Sequence, residues 1–449
     1  MTYEESVRYL LSLGRELASP QQASATKFDL RNITVLCEHL GQPQRAFQSV
    51  HIAGTNGKGS TAAMLDSILR AAGLRTGLYT SPHLERINER IRLDGKDISD
   101  PEFAATFTSV HKAIEELLAA GRLAAHPTFF ECVTAIAFLY FATAGAEFAV
   151  FETGMGGRLD ATNVLLPEIA VITQIDFDHE NYLGHSIEEI AGEKAGIIKP
   201  GGRVVSAAEH LIARVVIRRR CAEQSAFLVE IENAFYIEDV TSSNGCFSFT
   251  AIAYDTGLRI PIAVPLPGRF QVRNALTALA ASRMLAERGA PIEEEAITRG
   301  MAAVVWPGRL ERISERPEIY VDGTHNPAGA REIAVFWEQF LPGRNIILIY
   351  GAMRDKAVDE IAGLLFPRAS TVILTAPAQS RAISAPHLAE MTGHHARHAE
   401  AVTDPTQALS RALEIASAED VIFITGSLYL VGELRRYWMS RNASPAKTS

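Results

Sequence analysis

The residues best equipped for chemistry lie in Gly54-Thr55-Asn56-Gly57-Lys58-Gly59-Ser60-Thr61. Glycines let backbone N–H groups approach phosphate oxygens. A helix that starts at the end of such a loop adds the positive end of its dipole. Lys58 supplies a mobile cation for a β- or γ-phosphate, and Ser60 or Thr61 a hydroxyl near Mg²⁺. The string departs from the standard phosphate loop. Gly59 follows the lysine where Ser or Thr is usual, and no glycine stands five residues before Gly57. A plain glycine-rich turn is the competing reading. The strand-like run Ser49–Ala53 before the loop and the helical pattern Ser60–Ala72 after it favour nucleotide binding.

Other polar residues recur where apolar runs stop. Phe148–Phe151 stops at Glu152, and Ile169–Ile172 leads to Asp176-Phe177-Asp178-His179. Gly77-Leu78-Tyr79 leads to Thr80-Ser81-Pro82-His83. In open α/β sheets ligands bind beyond the carboxyl ends of strands, so these segments are expected to face one crevice. Glu152 is a natural hard ligand for Mg²⁺; His179 needs the rest of the site to enforce that role. Taken alone, Glu152 reads equally as a cap, His179 as a surface histidine and Ser81 as a turn residue. Lys194 lies in a helical stretch where nothing local separates it from Lys199. Farther on, Arg309 follows Trp306-Pro307-Gly308, and Asp322-Gly323-Thr324-His325-Asn326-Pro327 follows another strand. Arg309 can swing onto nucleotide phosphates or simply decorate a linker. Asp322 can hold a ribose hydroxyl, orient His325, or cap a helix.

The elements that must position these residues alternate. Helical patterns are expected near 3–19, 31–40, 101–120, 129–143 and Val272–Arg288. From Arg203 to Pro267 the pattern turns to short β-like runs, including Ala234–Ile237 and Cys246–Phe249. Strands then fit Ile319–Asp322, Ile346–Tyr350, Val372–Thr375 and Val421–Thr425, with a helix opening at Asp404-Pro405. The expected fold class is α/β. An N-terminal, mostly parallel sheet domain of phosphate-loop type with a small β-rich portion spans 1–305, and a Rossmann-like α/β domain spans 306–441. A polar stretch covers Ser19–Lys27 and a polar tail 442–449.

Composition excludes several classes. The chain has 449 residues with 47% hydrophobic and 21% charged, which is ordinary for globular domains. The net charge of −9 is a poor match to a nucleic-acid binder. Cys37, Cys132, Cys221 and Cys246 lack metal-ligand spacing and read as reduced cytosolic thiols. No secretory leader is expected at the N-terminus. The uncharged run Cys132–Ala146 is shorter than the roughly 20 residues of a membrane span, so a buried helix and a cytoplasmic protein are expected.

Together, His51–Thr61, Thr80–Leu84, Phe151–Asn163, Asp176–Gly184, Glu193–Pro200, Trp306–Arg309 and Asp322–Pro327 resemble the folylpolyglutamate synthase/dihydrofolate synthase family of the Mur ligase superfamily. The resemblance runs from about residue 25 to 435, and Gly54–Ser60, Ser81-Pro82-His83 and Gly156–Asn163 are its most specific strings. It implies an ATP-dependent carbon–nitrogen ligase. A pteroate or folate carboxylate takes the γ-phosphoryl group, and L-glutamate's amine attacks the acyl phosphate. Domain closure would hold two anionic substrates and exclude water from that intermediate. By resemblance, Asn56, Gly57, Lys58, Gly59, Ser60, Asn274, Arg309 and Asp322 bind ATP, and Ser81, Glu152, His179 and Lys194 bind Mg²⁺. Lys194 matches a family lysine that can be carboxylated by CO₂, and Lys58, Lys194 and His325 are the expected catalytic residues. Asp29, Thr128, Phe129, Phe130, Glu131, Leu159, Asp160 and Ala161 would line the pterin-side pocket. Arg31-Asn32 after Asp29-Leu30 departs from the family's Asp-Leu-Gly, and Thr324 stands where alanine is common. The resemblance also implies a monomer with small-molecule partners, no nucleic acid and no membrane.

Two other readings compete. A peptidoglycan-type ligase would take a UDP-linked substrate, but little chain precedes the phosphate loop for a separate UDP-binding domain, and Thr80–Leu84 and Gly156–Asn163 favour folate. A nucleotide-binding protein without catalysis would have no need of Lys58, Glu152 and His179 together.

Overall fold

A computed structural model describes residues 1–14 and 29–442 of the chain. The Ser19–Lys27 stretch, the end of the helix expected over 3–19 and the tail beyond residue 442 lie outside the described residues. The chain divides into two compact units. The first holds Met1–Val240, Ser248–Ala263 and Arg273–Val304; the second holds Thr241–Phe247, Val264–Val272 and the chain from Val305 onward.

The first unit is built on a sheet of strands β1 (Gln48–Ala53), β2 (Thr76–Tyr79), β3 (Ile91–Leu93), β4 (Lys96–Asp97), β5 (Phe148–Glu152), β6 (Ile169–Ile172), β7 (Arg203–Ser206) and β8 (Phe227–Glu230). Their order is β4-β3-β2-β5-β1-β6-β7-β8. The run from β2 to β8 is parallel, and β3 and β4 are antiparallel additions. Strands β2, β5 and β6 are wholly buried, as expected for a parallel sheet covered by helices. Phe151 anchors β5: its ring meets Phe47, Tyr79, Phe138 and Phe141 at centroid distances of 5.0–5.9 Å. Such pairs contribute about 0.5–1.5 kcal/mol each beyond burial, so the neighbouring Glu152 is fixed at the strand's end.

Helix Phe129–Thr143 is apolar almost all round because it is packed inside this unit. Among the described residues no helix is long and apolar enough to cross a membrane. The segment 203–230 differs from the sequence expectation. It continues the parallel sheet as β7, helix Leu211–Glu223 and β8, rather than opening the β-rich portion. The β-branched Ile212, Val215, Val216 and Ile217 disguise the helix, yet Ala213, Val216, Ile217 and Cys221 recur at helical spacing on its buried face.

A separate three-stranded sheet follows, from β9 (Phe235–Ser243), β10 (Cys246–Ala253) and β11 (Arg259–Val264), ordered β11-β10-β9. Strand β11 alternates exposed and buried residues, as one half-covered face requires.

The second unit is built on β12 (Glu311–Glu315), β13 (Glu318–Val321), β14 (Ile346–Tyr350), β15 (Thr371–Leu374), β16 (Ala399–Ala401) and β17 (Val421–Thr425), in the order β12-β13-β17-β14-β15-β16. All neighbours are parallel except β12 and β13. Its core joins Leu348, Tyr350, Leu374 and Phe423 of the sheet to Ile333, Phe336 and Trp337 of helix Pro327–Phe340. The α/β class, the large parallel sheet and the second α/β sheet therefore match the sequence reading.

Candidate active site

Strand register brings the sequence-selected loops to one edge. Ile52 is opposite Glu152, Ala53 opposite Ile172, and Tyr79 opposite Phe151. The loops after β1, β2, β5 and β6 thus leave the first sheet at one level, where ligands of parallel sheets bind. Bonds between the loops continue the register. Thr55 N–H donates to Gln174 O at 2.7 Å, and the Thr55 hydroxyl donates to Asp176 O at 2.9 Å.

The phosphate loop is closely packed from several sides. Gly57 has φ +86°, and a Cβ there would lie 2.3 Å from Asn274 Oδ1. Asn274 therefore lies against this loop despite its distance in sequence. Gly54 approaches Thr173 so closely that a Cβ would overlap its hydroxyl. Helix Lys58–Ala71 begins at Gly57 with no side-chain cap. Lys58 Nζ donates to Gly54 O at 3.1 Å and Thr55 O at 3.2 Å. Lys194, 3% exposed, also donates to Gly54 O, at 2.7 Å. Lys199 instead donates to Asn163 O and Oδ1 at 2.7 and 2.8 Å. Two lysines that local sequence could not separate thus serve different loops. Gly59 and Ser60 are buried at the helix start, and Asn56 pairs with Gln174 in an isolated bridge.

Of the residues expected around Mg²⁺, the structure joins Ser81 to Glu152: Ser81 N–H donates to Glu152 Oε2 at 3.2 Å. Glu152 is nearly buried, and with the Ser81 hydroxyl it offers hard oxygen donors that fit Mg²⁺. The Lys194 ammonium, a donor to Gly54 O, offers no lone pair. His179, at φ +52°, has Nε2 3.7 Å from Asp178 Oδ2.

The loop Gly154–Asn163 is organised by Asp160. Its Oδ2 accepts from Gly154 and Met155 N–H at 2.9 and 3.0 Å, and Oδ1 accepts from Thr162 N–H and hydroxyl. Burial raises the Asp160 carboxyl above the usual range, and these donors oppose that rise. Close approach of Gly157 to Lys194 O and of Gly196 to Arg158 seats the loop on helix Ile187–Ala195, which carries Lys194. Leu159 is half-buried and Ala161 buried. Phe130 lies against Gly154 and Tyr79, and Phe129 under the Arg90 guanidinium. Thr128 and Glu131 form a capping box on helix Phe129–Thr143. Burial raises the Glu131 carboxyl, with a smaller contribution from the nearby Asp29 charge. Asp29 itself accepts from Arg31 N–H at 2.9 Å.

Sequence reasoning missed His51. It is fully buried in β1, and its Nε2 lies 2.7 Å from the Thr162 hydroxyl. That hydroxyl donates to Asp160, so His51 Nε2 is the donor to it and Nδ1, which has no hydrogen-bond partner, is the unprotonated nitrogen. Burial, then the Lys199 charge, lowers the His51 pKa to about 3. The signal was available: a histidine between Val50 and Ile52 in a strand, three residues before Gly54.

In the second unit β13, β14 and β17 also end at one level. Asp322 Oδ2 accepts from Leu310 N–H and Oδ1 from Thr324 N–H, both at 2.8 Å. Arg309 packs on Gly323, where a Cβ would lie 2.4 Å from Nη1. His325 Nδ1 donates to Gly323 O at 2.9 Å. Asn326 caps helix Pro327–Phe340.

The Mur ligase middle domain family matches residues 52–282, and the Mur ligase glutamate ligase domain family matches 308–428. The chain is 36% identical to the dihydrofolate synthase/folylpolyglutamate synthase of Bacillus subtilis over 405 residues, covering 89% of this chain and 93% of that one. It is 35% identical to the folylpolyglutamate synthase of Lacticaseibacillus casei, covering 97% and 98%. Its fold is similar to the Mycobacterium tuberculosis folylpolyglutamate synthase complexed with ADP, with TM-score 0.88, 32% identity and coverage of 97% and 98%. The chain therefore belongs to the folylpolyglutamate synthase/dihydrofolate synthase family of ATP-dependent ligases.

Proposed function

We propose that this enzyme joins L-glutamate to dihydropteroate, to a reduced folate, or to both, acting as a cytoplasmic monomer. The substrate carboxylate attacks the γ-phosphorus of ATP, giving an acyl phosphate and ADP. The amine of glutamate then attacks the acyl carbon, phosphate leaves, and a proton from the amine is released. What supports the reading is the common edge of β1, β2, β5 and β6. There an uncapped helix N-terminus, the Lys58 ammonium and the Glu152 carboxylate emerge beside the Asp160-organised loop.

In this reading Asn56 to Ser60 and Asn274 hold the triphosphate, and Lys58 neutralises charge that develops during phosphoryl transfer. Arg309 and Asp322 contribute to nucleotide binding; Asp322 keeps acceptor capacity beyond its two backbone partners. His325 would serve the reacting groups. Ser81, Glu152 and His179 hold Mg²⁺, joined by Lys194 once carboxylated, which turns a donor into an oxygen ligand. Mg²⁺, when bound, supplies charge neutralisation on the phosphates. Asp29, Thr128, Phe129, Phe130, Glu131, Leu159 and Ala161 line the acceptor pocket, and Asp160 shapes it.

The test is phosphate release with mass-spectrometric identification of products. MgATP and L-glutamate are offered with dihydropteroate or with tetrahydrofolate. A product one glutamate heavier in either tube is the expected result, and which tube yields it assigns the specialisation. No product in either tube, with ATP still bound, overturns the reading.

A further inference from the structure

Away from these loops, the second unit carries a donor set that the ligase chemistry does not use. Asp359 is in the first turn of helix Val358–Leu365, and His394 and His395 lie in the short turn Gly393–His395. Ligand atoms of the three side chains all lie within 4.8 Å of one another. His395 Nε2 is 2.9 Å and His394 Nε2 3.9 Å from the same oxygen, Asp359 Oδ1. Among the described residues this is the one group of three or more His, Cys, Asp or Glu that meets in this way.

We propose that Asp359, His394 and His395 form a surface site for one divalent transition metal of the zinc class. Two imidazole nitrogens and one carboxylate oxygen are the donors such ions prefer, whereas Mg²⁺ and Ca²⁺ favour all-oxygen sets. Ligand atoms about 2.0–2.2 Å from a tetrahedral ion stand roughly 3.3–3.6 Å apart, so the two exposed side chains turn by up to about 1 Å to close on it. Asp359 and His394 are exposed, which leaves the remaining coordination positions to water. His395 is already oriented: its ring lies over Gly363, where a Cβ would sit 3.5 Å from Cε1, and Asp359 fixes Nε2. A bound ion replaces the proton between His395 and Asp359 and ties the helix to the turn that precedes β16.

The test strips the full chain with a chelator and titrates it with Zn²⁺ against a chromophoric competitor. Co²⁺ serves as a spectroscopic substitute. Wild-type protein takes up one equivalent of Zn²⁺, resists Mg²⁺ competition and gives the strong visible bands of low-coordinate Co²⁺. His394→Gln, on an exposed side chain that folding does not need, and Asp359→Asn each remove that equivalent. Both variants keep full MgATP-dependent ligation, so the result is independent of the proposed function. No stoichiometric uptake by the wild type, or uptake unchanged in both variants, overturns the site.

Discussion

Two helices begin just beyond a buried parallel strand, and they begin in opposite ways. Helix Lys58–Ala71 starts at Gly57, in the left-handed region, a residue that supplies no side-chain cap to the first turn. Helix Pro327–Phe340 starts at Asn326, whose Oδ1 accepts from Gly329 N–H, while Asp322 ties Leu310 and Thr324 into the same turn. The first N-terminus has no capping bond from its own N-cap residue; the second has one of its donors satisfied by its cap. A helix N-terminus whose own N-cap residue offers no side chain is the kind of end that suits a phosphate. The glycine that removes the cap also admits Asn274 against the loop.

The largest expected effects come from disabling the uncapped end. Lys58→Ala removes the cation of the loop and is expected to lower kcat roughly 10²–10³-fold, by analogy with the loss of one transition-state donor. Phosphate release at saturating substrates measures it. An unchanged kcat would place the neutralising charge elsewhere. Gly57→Ala forces a side chain into a left-handed residue and toward Asn274 Oδ1, 2.3 Å away. Misplacement by about 1 Å is expected to lower kcat/KM for ATP about 10²-fold, with little change in folded structure by circular dichroism.

A smaller, pH-dependent effect concerns His51, which sits behind both the phosphate loop and the Asp160 loop. Its folded pKa of about 3 lies below the ordinary histidine value, so between the two the unfolded chain binds a proton that the native chain refuses. Its contribution is fully present above about pH 6.5, histidine's ordinary pKa, and is lost as pH falls toward 3. His51→Asn keeps a donor for Thr162 and removes that titration. Denaturant midpoints measured from pH 7 to pH 4 are expected to fall less steeply in the variant than in the wild type. Parallel slopes would mean that His51 is protonated in the native state.

Which features were legible in the sequence follows from how local they are. The phosphate loop, its strand and its helix are contiguous, so spacing suffices to find them. So do the cap at Asp404 and the helix at Pro327, because cap and helix are neighbours. Lys194 and Lys199 have similar local surroundings; they differ by a contact 140 residues away, to Gly54, against one 36 residues away, to Asn163. No local pattern carries that distinction. Helix Leu211–Glu223 was hidden by β-branched residues whose strand preference tertiary packing overrides. His51 was passed over because its chemistry depends on Thr162, brought beside it only by the fold.

The smallest effects test the capped ends. Thr128 and Asn326 each accept a backbone N–H of a helix first turn, at 3.2 and 2.9 Å. Replacing such a cap by alanine costs about 1 kcal/mol, so Thr128→Ala and Asn326→Ala should both lower the denaturant midpoint slightly. Their kinetics are expected to diverge. Asn326→Ala is expected to leave kcat/KM for ATP within about twofold, because Asn326 acts as the helix cap through Gly329 N–H and is not among the groups proposed to bind nucleotide. Thr128→Ala raises KM for the pteroate or folate, because the same capping box seats Phe129, Phe130 and Glu131 in the proposed acceptor pocket. A matching fall in stability with no change in that KM would reduce Thr128 to a cap like Asn326. A large loss of ATP affinity in Asn326→Ala would show that internal satisfaction does not retire a helix end from binding.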